Sequence, residues 1–125
     1  MMRTDIPRSR EARCQNILVG PYKLNFMKFK SLLDLVRFAA LSEAHFLHHT
    51  VASGKEVYFI HILSPVEGSV YFAEQDEPVR GKYAVYDPYK DEVSFTEKLE
   101  VNPPRLIVPF LEVESDTILS QYYHK

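Results

Sequence analysis

The sequence has no tryptophan, one cysteine and only four glycines. A lone cysteine, Cys14, excludes an internal disulfide and any zinc cluster built on cysteine ligands. No apolar run approaches the ~20 residues that a membrane-spanning helix needs. The first residues, Met1-Met2-Arg3-Thr4-Asp5-Ile6-Pro7, lack the apolar stretch of a secretion signal. There is no internal repeat and no low-complexity tract. Asparagine and glutamine are scarce, three of each against eight prolines, a trait shared with proteins from hot environments. These absences lead to the expectation of a soluble, cytoplasmic protein that needs no cofactor and touches no membrane.

The remaining composition suits one globular unit. The chain has 125 residues, 46% of them hydrophobic, and eight Phe and eight Tyr to build a core. A chain of this size buries roughly two-thirds of its unfolded surface, enough to fold without covalent staples. The net charge of −2 conceals a split: residues 1–30 carry a net +5, and the other 95 a net −7. Residues 1–15 are charged and aperiodic and are expected to form a basic arm, with residues 16–125 as the domain.

Apolar spacing predicts the elements. Over residues 28–43, Phe29, Leu32, Leu33, Leu35, Val36, Ala39 and Ala40 fall on one arc of about 160°, which makes a long amphipathic helix. Phe38 and Leu41 fall on the polar side of that helix. Before it, either Ile17-Leu18-Val19 or Tyr22 to Phe26 supplies a first strand. After it come strand-like runs at Phe46–Ala52, Glu56–Leu63, Ser69–Ala73, Tyr83–Tyr86, Val93–Thr96 and Leu106–Val113. Ser53-Gly54 joins the first two as a tight turn, and Asp87-Pro88-Tyr89-Lys90 has the residues of a type I turn. Ser115 is placed to cap a short C-terminal helix through Ile118, Leu119, Tyr122 and Tyr123. The expected fold is α+β, one helix on an antiparallel meander of about five strands in two layers. Pro109 lacks a backbone donor, so the last strand is expected to lie at a sheet edge or to carry a bulge.

Histidine is the main carrier of candidate chemistry. With a two-residue turn at Ser53-Gly54, His49 lies opposite Tyr58, and His48 and His61 become diagonal neighbours on one face. Diagonal neighbours lie about 7–8 Å apart, within reach of a shared metal ion. His45 and His49 take the other face, and no third ligand has a defined spacing. The plainer reading is ordinary histidines at a helix end and a strand start. Ser53-Gly54-Lys55 lacks the flanking residues of a phosphate loop, and Cys14 has no histidine fixed beside it. Asp87, Asp91 and Glu92 crowd one turn without the spacing of a calcium loop, and Glu74, Asp76 and Glu77 form a polar loop.

Three functional expectations follow. The first is a non-catalytic interaction module forming a homodimer, with Phe38, Leu41, Leu106, Val108, Phe110, Tyr122 and Tyr123 as interface candidates. The second is a small-molecule-binding or enzymatic domain whose pocket, between helix and sheet, is lined by Tyr58, His61, Tyr71, Tyr83 and Tyr86. The third is nucleic-acid binding through Arg3, Arg8, Arg10, Arg13, Lys23, Lys28 and Lys30, against which stands a pI near 6.2. No nucleophile constellation is visible, so the balance falls against an enzyme.

Overall fold

The computed structural model describes residues 12–19, 22–63, 67–99 and 105–123. Strands β1 (Ala12–Val19) and β2 (Tyr22–Phe29) pair antiparallel and lead into helix α1 (Leu32–Leu41). Both early apolar runs are therefore strands, and β1 takes up residues 12–15 of the expected arm. Then follow β3 (Leu47–Ala52), β4 (Lys55–Leu63), β5 (Glu67–Gln75), β6 (Tyr83–Asp87), β7 (Glu92–Thr96), β8 (Leu106–Glu112) and α2 (Thr117–Tyr123).

Helix α1 is shorter than its periodicity predicts. Lys28 and Phe29 continue the alternation of β2, and the chain turns only at Ser31, whose Oγ accepts from the Asp34 N–H at 3.2 Å. At the other end the Ala44 N–H reaches the Ala39 carbonyl at 3.0 Å and the Glu43 N–H the Ala40 carbonyl at 3.1 Å. This double closure normally uses glycine at the left-handed position. Here Glu43 holds it, at φ 59°.

The sheet is mixed, with strand order β1-β2-β5-β4-β3-β8-β6-β7. The expected meander holds for β3-β4-β5 and for the β6–β7 hairpin. It fails at two places, where β2 lies parallel to β5 and β8 lies parallel to β3. Strand β8 is not an edge. Its first half, through Pro109, pairs with β6, and its second half, from Phe110, pairs with β3. Pro109 sits where the strand changes partners, and there its missing N–H costs no ladder bond.

The two layers expected are three. Met27, Phe29, Leu47, Tyr58, Ile60, Tyr71, Ala84, Tyr86 and Val108 face α1 and bury Leu35, Val36 and Ala39. On the opposite face Leu24, Phe26, Val57, Phe59, Val70 and Phe72 pack beneath Leu119 of α2. Val57 to Ile60 are all buried because both faces of β4 are covered.

Candidate functional site

The β3–β4 hairpin sorts the histidines. Ser53 and Gly54 both have positive φ, 53° and 77°, which closes a two-residue turn of the primed kind. The register is the one the turn dictates, with His49 opposite Tyr58 and His48 opposite Phe59. Alternation then puts His48 and His61 on the α2 face and His49 on the α1 face.

On the α2 face the His48 and His61 rings stack 5.7 Å apart and within 8° of parallel, and His48 also stacks on Phe59 at 5.1 Å. His61 Nε2 lies 3.4 Å from Asp116 Oδ2, while Asp116 Oδ1 accepts the Leu119 N–H at 2.6 Å at the start of α2. His48 Nδ1 is buried and outside hydrogen-bonding geometry. Burial and then the neighbouring His61 charge hold the His48 imidazole below its ordinary range, against the Phe59 backbone and the Asp116 charge. Burial works to raise the Asp116 carboxyl, but the His61 and Leu119 hydrogen bonds outweigh it and hold it low. Among the described residues no three His, Cys, Asp or Glu side chains are arranged to hold a metal ion.

A cleft of about 310 Å³ opens where β3 begins and β4 continues past it, lined among others by Glu43, His45, Phe46, His48, His61 and Ile62. Its upper wall is the strained end of α1, with Glu43 in the left-handed conformation. On the α1 face His49 stacks on Tyr58 at 4.4 Å and is held between Glu56 at Nε2, 2.7 Å, and Glu112 at Nδ1, 2.6 Å. Carboxylates only accept, so both contacts are hydrogen bonds together only when both ring nitrogens carry protons. Glu56 follows from the hairpin register, two residues before Tyr58. Glu112 was invisible because it depends on the β3–β8 pairing.

The residues expected to line one pocket are divided between the two faces of the sheet. Tyr58, Tyr71 and Tyr86 are buried beneath α1, whereas Tyr83 and His61 lie on the other face by strand alternation. The Tyr58 hydroxyl accepts from the Val79 N–H at 3.0 Å, and that of Tyr86 donates to Asp91 at 2.7 Å. Asp91, at φ 56°, also takes the Arg37 Nε at 2.7 Å, so the carboxylate crowding of that turn serves to tie α1 to the β6–β7 hairpin. Those two partners hold its carboxyl below the usual range.

Of the interface candidates only Leu41 is exposed; Val108 is buried, and Leu106 and Phe110 pack against the α1 core. Phe38 stands on the flank of the helix stripe, yet its ring reaches Tyr71 at 4.6 Å and Phe29 at 5.4 Å. Tyr122 and Tyr123 pack on the opposite core. Among the basic candidates Lys28 pairs with Glu74 at 3.0 Å, Lys23 and Lys30 are exposed, and Arg13 falls on β1. Arg3, Arg8 and Arg10 lie outside the described residues. Family models, curated proteins and solved structures yield no match to this chain.

Proposed function

We propose that this chain is a non-catalytic interaction module that assembles as a homodimer through one end of its sheet. The observation that carries this reading is the gathering there of Leu41, Phe46, Ile62 and Leu63, which are 59%, 44%, 54% and 54% exposed. Leu41 closes α1, Phe46 precedes β3, and Ile62 and Leu63 end β4, and antiparallel pairing brings these points to one end. Single exposed apolar residues are ordinary, whereas a group of them marks an association surface. The far end of the same strands exposes Val51 among polar groups that include a Lys55–Asp76 pair at 2.7 Å. Sedimentation equilibrium over a wide concentration range should give a dimer for the native chain and a monomer for a Phe46→Lys/Ile62→Lys double variant with unchanged circular dichroism. A native chain that stays monomeric at the highest concentration ends this reading.

The histidine cleft favours a second reading, a small-molecule-binding or enzymatic domain. An imidazole oriented by a carboxylate, as His61 is by Asp116, is equipped to exchange protons with a ligand. Native mass spectrometry of gently purified protein tests this through an added small-molecule mass that a His61→Ala variant loses while its oligomeric state persists. A native chain carrying no added mass removes the support.

A further inference from the structure

Helix α2 has seven residues. Isolated helices below roughly 12–15 residues are marginal in water, so its helicity depends on docking. The docking is partly apolar: Leu119 is buried, and Tyr122 lies 5.4 Å from Phe26 and 4.9 Å from Phe72. The rest is polar and concentrated at the two ends. At the start, Asp116 and not the expected Ser115 caps the Leu119 N–H, and it faces His61 on β4. At the finish, the Tyr123 hydroxyl donates to Glu74 on β5, which also pairs with Lys28 on β2.

The segment before α2 is tied down separately. The Val113 N–H donates to the His49 carbonyl at 2.9 Å, and the Thr50 hydroxyl to the Glu114 carbonyl at 3.1 Å. Ser115 is exposed and follows both ties. A hinge at Ser115 therefore frees α2 without disturbing any strand pairing. We propose that α2 is a strap, latched by Asp116 to His61 and by Tyr123 to Glu74, that opens as a unit about Ser115 while the sheet and α1 stay folded. Opening uncovers the aromatic face of Phe26, Phe59 and Phe72, an apolar surface separate from the strand-end patch. The device controls access to that face, and it does not depend on the dimer reading.

Hydrogen exchange on the full chain, read by mass spectrometry, tests the strap. Amides 119–123 are expected to exchange at least ~100-fold faster than amides 57–60 of β4, because local opening needs far less free energy than global unfolding. Tyr123→Phe and Asp116→Asn should each speed the α2 amides several-fold and leave β4 unchanged. Tyr123→Phe keeps its ring in place, so it carries the test alone if Asp116→Asn disturbs the fold. Equal protection of α2 and β4, acceleration of both together, or acceleration of neither overturns the proposal.

Discussion

On one face of the sheet, ten helical residues press Leu32, Leu35, Val36 and Ala39 against a continuous aromatic and aliphatic surface. On the other, seven residues cover Phe26, Phe59 and Phe72 and are fastened by Asp116, His61, Glu74, Lys28 and Tyr123. Apolar burial is insensitive to pH and contributes to global stability. Charged fastenings at a margin give local, condition-dependent closure. The same strands thus carry a permanent interior on one side and a conditional one on the other.

Truncation at equivalent depth tests that contrast most strongly. Leu35→Ala removes a fully buried side chain beneath α1 and should cost about 2–5 kcal/mol of global stability. Leu119→Ala, nearly as buried, should cost less than half of that in denaturant melts, because α2 can detach while the remainder stays folded. Equal losses with the same cooperativity would make the two faces alike.

Acid should separate the faces next. Burial and the His61 charge favour the neutral His48 ring in the folded protein. Below its ordinary value of 6.5 the unfolded or opened chain binds a proton that the folded chain resists, so stability falls as pH drops from there. Burial alone would raise Glu74, but Tyr123 and Lys28 hold it below its ordinary 4.5, and Asp116 is likewise held below 3.8. Their contribution is present above those ordinary values and is lost as pH falls through the depressed ones. All three groups lie on the α2 face; on the α1 side Asp91 is also held low by Tyr86 and Arg37, but that carboxylate is largely exposed and its tie is screened by solvent, so its loss loosens α1 less. Exchange of α2 amides, corrected for the intrinsic rate, should therefore rise in two stages on acidification, before the α1 amides respond. Simultaneous loss of protection in both helices would contradict the assignment.

Much of this architecture is legible in the residues. Strand and helix existence followed from periodicity, and the Ser53-Gly54 turn alone placed His48, His49 and His61 on their faces. Non-local pairing was hidden. Short connections specify only sequential neighbours, so nothing near Leu47 or Phe110 announces that β8 runs parallel to β3. Pro109 was misleading for the same reason, since a missing donor fits a partner switch as well as an edge. Tyr122 and Tyr123 signalled apolar surface without an assigned cover, and the surface they meet belongs to β2 and β5 of the same chain. The Asp116–His61 contact joins residues 55 positions apart and depends on where α2 docks.

The smallest expected effect is a control on the comparison. Ser53 occupies a left-handed position at φ 53°, where Asn is far better tolerated in a primed turn. Ser53→Asn should stabilise the folded chain by about 0.5–1 kcal/mol. The turn joins β3 to β4, and those strands carry both faces: Leu47, Tyr58 and Ile60 toward α1, and Val57 and Phe59 toward α2. Stabilising it strengthens the platform beneath both helices without touching either latch. Global melts should therefore shift upward, while α2 amides keep the exchange rate they have in the native chain, because local opening about Ser115 leaves the hairpin intact. Slower α2 exchange in step with the global gain would mean that the strap opens only when the sheet itself unfolds.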